Sequence, residues 1–530
     1  MLFGTYVLKI IGILSCLLYL SMKLKTGFHM LQQNSYLNHD YFKWVKRNIS
    51  KNISVYDLLP GLAFLCVLIF THEIYSYFIW TAINVIIYFS RRKNKTPAKK
   101  PLVITARVKR LIFTASLFGV ILGVLTFFGL NYAPCRTILA TTIFNLISFL
   151  YIAFVNIVNR PVELAISRWY YNDAKKIIRS MPNLKVIGIT GSYGKTSSKY
   201  ILSKILSEKY HTLMTPESYN TTMGVVRTIR EHLKPSHEIF VCEMGAKYVN
   251  DIKEICDLVH PEYGVITSIG PQHLETFGSI ENIIKTKFEL ADSLKDKAKA
   301  VLNLSSEYIK ENAPKGAIIY SMEENEGGDY YASDISYGPY GAEFMMCKKG
   351  MQPFKIETKL LGKHNIINIV GAASVALSLG LTPKEIAYAV KRLEPVPHRL
   401  QLKRQIGGIT VIDDAFNSNV EGAKSAVEVL GSFPAGGRML ITPGMIELGE
   451  KEFEYNYNFG RQAAKNCDFI ILVGEKQTLP VKKGILDEGF GESNIYVAED
   501  LNDALVKMRE KAEKGWTVLF ENDLPDLYDN

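Results

Sequence analysis

The sequence predicts an α/β protein with an all-α region at its front, and three observations predict it. The stretch Gly188-Ile189-Thr190-Gly191-Ser192-Tyr193-Gly194-Lys195-Thr196-Ser197 sets glycines, a lysine and hydroxyls between a β-type apolar run and a helical one, which is the strand–turn–helix of a phosphate-binding loop. Residues 1–160 hold long apolar runs and few acids, a pattern that reads as membrane-spanning helix. Pro395-Val396-Pro397 stiffens the chain between two apolar-periodic blocks. The resulting fold class is a P-loop mononucleotide-binding central domain and a smaller Rossmann-like C-terminal domain, both α/β, preceded by an all-α transmembrane region.

At 530 residues and 48% hydrophobic, the chain is long enough for three units. Residues 1–160 contain 18 Lys/Arg against 3 Asp/Glu in a chain of net charge +10, so the remainder is mildly acidic. That unevenness assigns the basic balance to membrane topology and leaves nucleic acid out as a partner. Four apolar regions cover about residues 2–22, 53–90, 111–130 and 137–158. The second is too long for one span and is interrupted by His72 and Glu73, so it reads as a hairpin and the count as five spans. Five spans put the basic loops Lys23–Lys51 and Arg91–Arg110 on the side of the phosphate loop; four would send the first of them across. The expected location is the inner, cytoplasmic membrane, multi-pass, with a lipid bilayer as partner and the α/β part in the cytoplasm. Phe28 to Trp44, aromatic among polar residues, reads as an interfacial segment. Seven scattered cysteines without a Cys-x-x-Cys pair predict reduced thiols and no structural zinc.

Lys185 to Thr190 predicts a strand, and Ile201, Leu202, Ile205 and Leu206 place one apolar face on a helix from Ser198 onward. Between them Gly191, Ser192, Gly194, Lys195, Thr196 and Ser197 are the candidate ATP-binding residues, with Lys195 reaching the β/γ-phosphates and Thr196 holding Mg²⁺. Glu243 ends the apolar run Ile239–Cys242, and an acid at a strand end beside such a loop is where a second Mg²⁺ ligand belongs. Gly270 to Gly278 is turn-rich and carries His273. In the helix that follows, Ile283, Ile284, Lys287, Ala291 and Leu294 share one stripe, which buries Lys287 and turns Lys285 outward. A buried ammonium needs an anionic partner, a snorkelling route or a chemical change.

With these residues in place the chain resembles the Mur ligase family, and within it the D-alanyl-D-alanine-adding type. The resemblance runs from about Asn183 to the C-terminus. It implies that Lys287 is carbamylated by CO₂ and binds a second Mg²⁺ together with His273, while Thr196 and Glu243 hold the first. It makes Lys195, Lys287 and His273 the catalytic residues. Gly362-Lys363-His364-Asn365-Ile366-Ile367-Asn368 resembles the adenine-side segment, with Asn365 and Asn368 as base contacts. Pro397-His398-Arg399-Leu400 resembles the hinge into the last domain, with Arg399 facing the phosphates, and Ile412 to Asn419 the next signature, with Asp414 contacting the nucleotide.

The implied activity is ATP-dependent amide ligation through an acyl phosphate, joining a lipid-linked or UDP-linked carboxylate to an amino acid or dipeptide amine. A transport ATPase and a nucleotide-binding scaffold are the competing readings. The chain departs from the family pattern in three places. The membrane region replaces a UDP-binding domain, Gly444 stands for an aspartate, and Phe520-Glu521-Asn522-Asp523 for Lys-Gly-Ser-Arg. The expected division is a transmembrane region 1–160, a linker helix 161–182, a central ATP-binding domain 183–395 and a C-terminal domain 396–530.

Overall fold

The computed structural model describes residues 2–53, 56–61, 73–93, 101–129, 134–272, 274–404, 408–415, 419–434, 436–446 and 448–522. The chain divides into two compact units, one ending at Arg168 and one beginning at Trp169.

The first unit is helical, built from α1 (Leu2–Gln33), α2 (Asn38–Arg47), α3 (Glu73–Lys93), α4 (Ala106–Gly129), α5 (Pro134–Leu146) and the start of α6 (Ser148–Arg179). Among the described residues three helices are long and apolar enough to cross a membrane: Tyr6–Gln33, Ala106–Phe128 and Ser148–Arg179. The expected five spans include a region that the described residues cover only in part. Much of the hairpin expected at 53–90 lies outside the described residues, and its remaining helix, α3, is not among the three. The apolar run 137–158 is divided at Ile147, and the 13 residues of α5 rise only about 20 Å, short of a hydrocarbon core of about 30 Å. The segment expected at an interface has one buried face and leaves Leu37 and Phe42 exposed. Leu31 and Tyr41 are fully buried, in a cluster with Leu111, Tyr151 and Ile152. No separate helix begins at 161, because α6 runs unbroken through Pro161 to Arg179.

The second unit holds two sheets. The first contains β1 (Lys185–Thr190), β2 (Thr212–Met214), β3 (Ile239–Glu243), β4 (Tyr263–Ile266), β5 (Ala300–Asn303), β6 (Ile318–Tyr320), β7 (Tyr330–Gly338), β8 (Gly341–Lys348) and β9 (Met351–Thr358), in the order β2-β3-β1-β4-β5-β6-β7-β8-β9. It is parallel as far as β7 and closes with an antiparallel β7-β8-β9 meander. Its helices are α7 (Lys195–Leu206), α8 (Thr222–His232), α9 (Asp251–Val259), α10 (Ile280–Ser293), α11 (Lys363–Ser378) and α12 (Pro383–Lys391). β1 is buried over its last five residues, as a parallel strand covered by helices on both faces must be. The strand order reverses at β1, and ligands of open α/β sheets bind at the carboxyl ends beside such a reversal.

The second sheet contains β10 (Gln401–Arg404), β11 (Thr410–Asp414), β12 (Arg438–Thr442), β13 (Phe469–Val473), β14 (Ile495–Ala498) and β15 (Thr517–Glu521), ordered β10-β11-β15-β12-β13-β14. All pairs are parallel except β10-β11. α13 (Val420–Gly431) and α14 (Glu452–Asn466) pack on it through Ala426, Val427, Leu430, Phe459 and Ala463.

α7 starts at Lys195, three residues ahead of the expected Ser198. Its first turn carries lysine and hydroxyls, which leave no apolar signal. Gly188 marks a close approach inside β1, where a Cβ would stand 2.7 Å from Leu290 Cδ1 and 2.9 Å from Met244 Cε. Gly188→Ala should therefore destabilise this unit by about 1–3 kcal/mol through overpacking, measured as a shift of the urea midpoint at unchanged slope.

Candidate nucleotide and metal site

Two glycines shape the turn after β1. A Cβ on Gly191 (φ +152°) would stand 2.1 Å from Thr267 Oγ1, and one on Gly194 (φ +78°) 2.8 Å from Asn368 Oδ1. Side chains are excluded at both positions by contact as well as by backbone angle. The turn is fastened to the segment after β4: Ser192 N–H donates to Ser268 O at 2.7 Å, Ser192 Oγ to Gly270 O at 2.9 Å, and Tyr193 N–H to Ser268 Oγ at 3.0 Å. α7 then begins without a side-chain cap. The first-turn N–H groups of Lys195, Thr196 and Ser197 therefore face out of the helix end, where an anion finds both hydrogen-bond donors and the positive end of the dipole.

Lys195 Nζ folds over the loop and donates to Gly191 O at 2.6 Å and Ser192 O at 2.9 Å. Burial lowers its pKa to about 8; Glu243 opposes that shift and Arg399 adds to it.

Glu243 is almost completely buried at the end of β3. Its Oε1 accepts from Thr196 Oγ1 at 3.1 Å and from Asn220 Nδ2 at 3.0 Å. Its Oε2 lies 3.0 Å from Lys199 Nζ, an ion-pair distance, although no aligned hydrogen bond reaches it among the described residues. Thr196 and Glu243, chosen as metal ligands from sequence, are thus adjacent. Gly245 makes room, since a Cβ there would stand 2.8 Å from Asn220 Cγ.

Lys287 lies on the buried face of α10, 3% exposed, while Lys285 is exposed. Its Nζ sits 5.9 Å from the centre of the Phe277 ring. Among the described residues it has no hydrogen bond or ion pair. Burial, followed by the charge of Lys195, holds it well below the ordinary lysine range, against the pull of Asp251 and Glu289. His273 lies outside the described residues, and among those described no cluster of three or more His, Cys, Asp or Glu side chains is arranged to hold a metal.

Asn368 lies against the loop itself: its Oδ1 accepts from Ser198 Oγ at 3.1 Å, and its buried Nδ2 has no hydrogen-bond partner among the described residues. Asn365, one turn earlier on α11, donates to Leu361 O at 2.8 Å. From the second sheet, Asp414 Oδ1 accepts the Leu400 N–H at 3.1 Å. Burial pushes the Asp414 carboxyl up to about 6, with that N–H and Arg399 pulling the other way. The Arg399 charge is felt at Lys195, His364 and Asp414 alike, so this arginine faces the loop from across the two sheets. His364 Nδ1 is 2.8 Å from Ser425 Oγ, and burial with Arg399 holds its ring down at about 4.

Sequence reasoning missed Lys199, Asn220 and His364. Lys199 was within reach of it, one turn beyond Thr196 on the same helix face. Asn220 gives no such signal, because only the fold brings it to Glu243. Gly444 has φ +78° and a Cβ there would stand 2.9 Å from Asn456 Oδ1, so the backbone itself requires the glycine found in place of aspartate. Next to it, Asn522 Nδ2 donates to Gly444 O at 2.6 Å and Thr442 Oγ1 to the buried Glu521 at 2.6 Å.

Residues 189–376 match the Mur ligase middle domain and residues 398–521 the Mur ligase glutamate ligase domain. By these two domains the chain belongs to the Mur ligases. It is similar to the UDP-N-acetylmuramoyl-tripeptide–D-alanyl-D-alanine ligase of Bacillus subtilis, 29% identical over 345 residues that cover 64% of this chain and 72% of that one. The enzyme of the same name from Escherichia coli is 28% identical over 331 residues, 60% of this chain and 73% of that one. Among solved structures, the Thermotoga maritima MurF ligase in complex with ADP superposes with TM-score 0.61 at 25% identity, over 68% of this chain and 81% of that one. Mur ligases are ATP-dependent enzymes that form carbon–nitrogen bonds, and this chain is a ligase of that kind.

The relatives also overturn the expected location. The domain matches begin only at residue 189, and the ligases matched are named for a UDP-linked substrate, a water-soluble polyanion whose use calls for no membrane. A multi-pass enzyme of the inner membrane therefore does not stand; what remains, among the described residues, is three helices that qualify by length and composition.

Because Lys195 is cationic below its pKa of about 8 and neutral above it, nucleotide affinity should weaken as pH rises through that value. Binding of a fluorescent ATP analogue, followed from about pH 6.5 to about 9.5 at constant ionic strength, checks this; a flat profile removes Lys195 from phosphate binding.

Proposed function

We propose that the chain uses ATP to activate a peptide carboxylate and joins it to an amine in the synthesis of a cell-wall precursor. One observation carries the reading: the Thr196 hydroxyl and the Glu243 carboxylate meet, 3.1 Å apart, beside Lys195 and below an uncapped helix end. The carboxylate oxygen attacks the γ-phosphorus of ATP and ADP departs, leaving an acyl phosphate; the amine then attacks the acyl carbon and phosphate departs. The N–H groups of the loop from Gly191 and Ser192 through Gly194 to Ser197 hold the phosphates, and Lys195 and Arg399 offset the charge gathering on the transferred group. Asn365, Asn368 and Asp414 fix the nucleoside.

Mg²⁺, when bound, supplies further charge neutralisation at the transferred phosphoryl group. Thr196 and Glu243 fit one ion. Lys287 and His273 are the proposed holders of a second, with Lys287 as the carbamate formed when its neutral amine adds to CO₂ and loses a proton. Its burial without a described partner and its depressed pKa support that chemistry, because a neutral amine is the nucleophile the addition needs.

The carboxylate substrate is a UDP-linked muramyl peptide and the amine D-alanyl-D-alanine, following the names of the relatives. The proposed working parts are the central domain 183–395 and the C-terminal domain 396–530, hinged at Pro395-Val396-Pro397, with 161–182 linking them to residues 1–160. Incubation with ATP, Mg²⁺ and these substrates, read as ADP release and product mass, tests the assignment; the same assay with a lipid-linked carboxylate tests the alternative carrier.

Lys195→Ala should lower ADP release by at least ~100-fold, as loss of one transition-state donor does, and normal turnover would reject the phosphate role. Lys287→Ala should be inactive and regain activity with added formate or acetate, small carboxylates able to stand where the carbamate stood; an unimpaired rate removes Lys287 from the chemistry.

A further inference from the structure

Lys199 is fully buried on α7, one turn past Thr196. Its ammonium stands 3.0 Å from Glu243 Oε2 and donates to the Glu217 carbonyl. Glu217 has φ +38°, in the left-handed region, and belongs to the loop Thr215–Thr221, whose two ends also reach the same acid. Thr215 Oγ1 accepts the Glu243 N–H at 3.1 Å, and Asn220 Nδ2 donates to Oε1 at 3.0 Å. The two oxygens of the carboxylate are therefore held by different means. Oε1 takes hydrogen bonds from Thr196 and Asn220, while Oε2 faces the Lys199 ammonium at ion-pair distance and receives no aligned hydrogen bond among the described residues. A hydrogen bond aimed at Oε2 would occupy a lone pair. A cation at ion-pair distance fixes the rotation of the group and leaves that lone pair open to a divalent ion.

We infer that Lys199 is the positioning residue of the divalent-cation site. Its ammonium pins the Glu243 carboxylate in the orientation that Thr196 and the ion share, and ties it to the loop Thr215–Thr221. The inference rests on the assignment of Thr196 and Glu243 to that ion. It takes a definite sign, because charge and position pull in opposite directions. Judged by charge alone, a cation next to the ligand repels Mg²⁺, and its removal would tighten binding. Judged by position, its removal frees a buried carboxylate to turn away, and binding weakens.

The experiment uses the full chain and titrates Mg²⁺ against binding of a fluorescent ATP analogue, with thermal melting in the absence of Mg²⁺ as a check on folding. In Lys199→Met, which keeps the length of the side chain and drops the charge, half-saturation should move to about ten- to hundredfold higher Mg²⁺, the usual effect of losing a group that orients a metal ligand. Mg²⁺-free binding of the analogue should change little. An unchanged or lower half-saturating Mg²⁺ overturns the inference. Should Lys199→Met melt below the assay temperature, Lys199→Arg keeps the charge but not the geometry; weakened Mg²⁺ affinity then supports positioning and unchanged affinity overturns it. Thr196→Ala and Glu243→Gln separate the two levels. If neither alters the Mg²⁺ dependence, the ion assignment and this inference both fall; if both do and Lys199→Met does not, only this inference falls.

Discussion

A carboxylate with almost no exposure cannot stay ionised unless its surroundings meet the charge, and Glu243 is where the first sheet solves that problem. The hydroxyl of Thr196, the amide of Asn220 and the ammonium of Lys199 converge on it from a helix and a loop. Each of those elements is placed by it in turn. α7 must start at Lys195 for Thr196 to reach the acid, the turn before it must therefore be short and left-handed at Gly194, and the loop before α8 must fold over Gly245. The phosphate cradle and the acid are one construction, since moving either would leave a buried charge unmatched.

Three basic side chains surround this construction, and their environments are unlike. The charge of Lys195 lowers the readiness of the buried Lys287 to be charged, while Lys195 itself is held down by desolvation and by Arg399. Arg399, carried by the chain between the two sheets, adds its field to the loop and to Asp414. Lys195 and Arg399 together form a field made for a polyanion, and a bound triphosphate would satisfy it. Lys287 lies over the Phe277 ring with no hydrogen bond or ion pair among the described residues, whereas Lys195 bonds to the Gly191 and Ser192 carbonyls.

The part of the sequence with the strongest bulk signal was also the most misleading. Apolar runs and a surplus of cations before residue 160 suggested a multi-pass enzyme of the inner membrane, which the relatives overturn. Periodicity reports apolar surface, not what covers it. Leu31, Tyr41 and Tyr77 are covered by other helices, and the run at 137–158 breaks into two helices, one of them too short to span.

Where the chemistry was local, the sequence alone sufficed. The strand Lys185–Thr190, the glycine turn, Lys195, Thr196 and the burial of Lys287 all follow from spacing within about one or two turns, because strand and helix repeat at fixed periods. The approach of Glu243 to Thr196 could be expected from its place at a strand end. The approach of Asn220 to that acid, the seat of Asn368 against the loop and the meeting of Arg399 with residues far away in the chain were decided by tertiary structure. The reason is physical: pairing partners of a buried charge are selected by which groups the packing leaves within 3 Å or so of it, and that distance between residues far apart in sequence exists only once the sheets have formed.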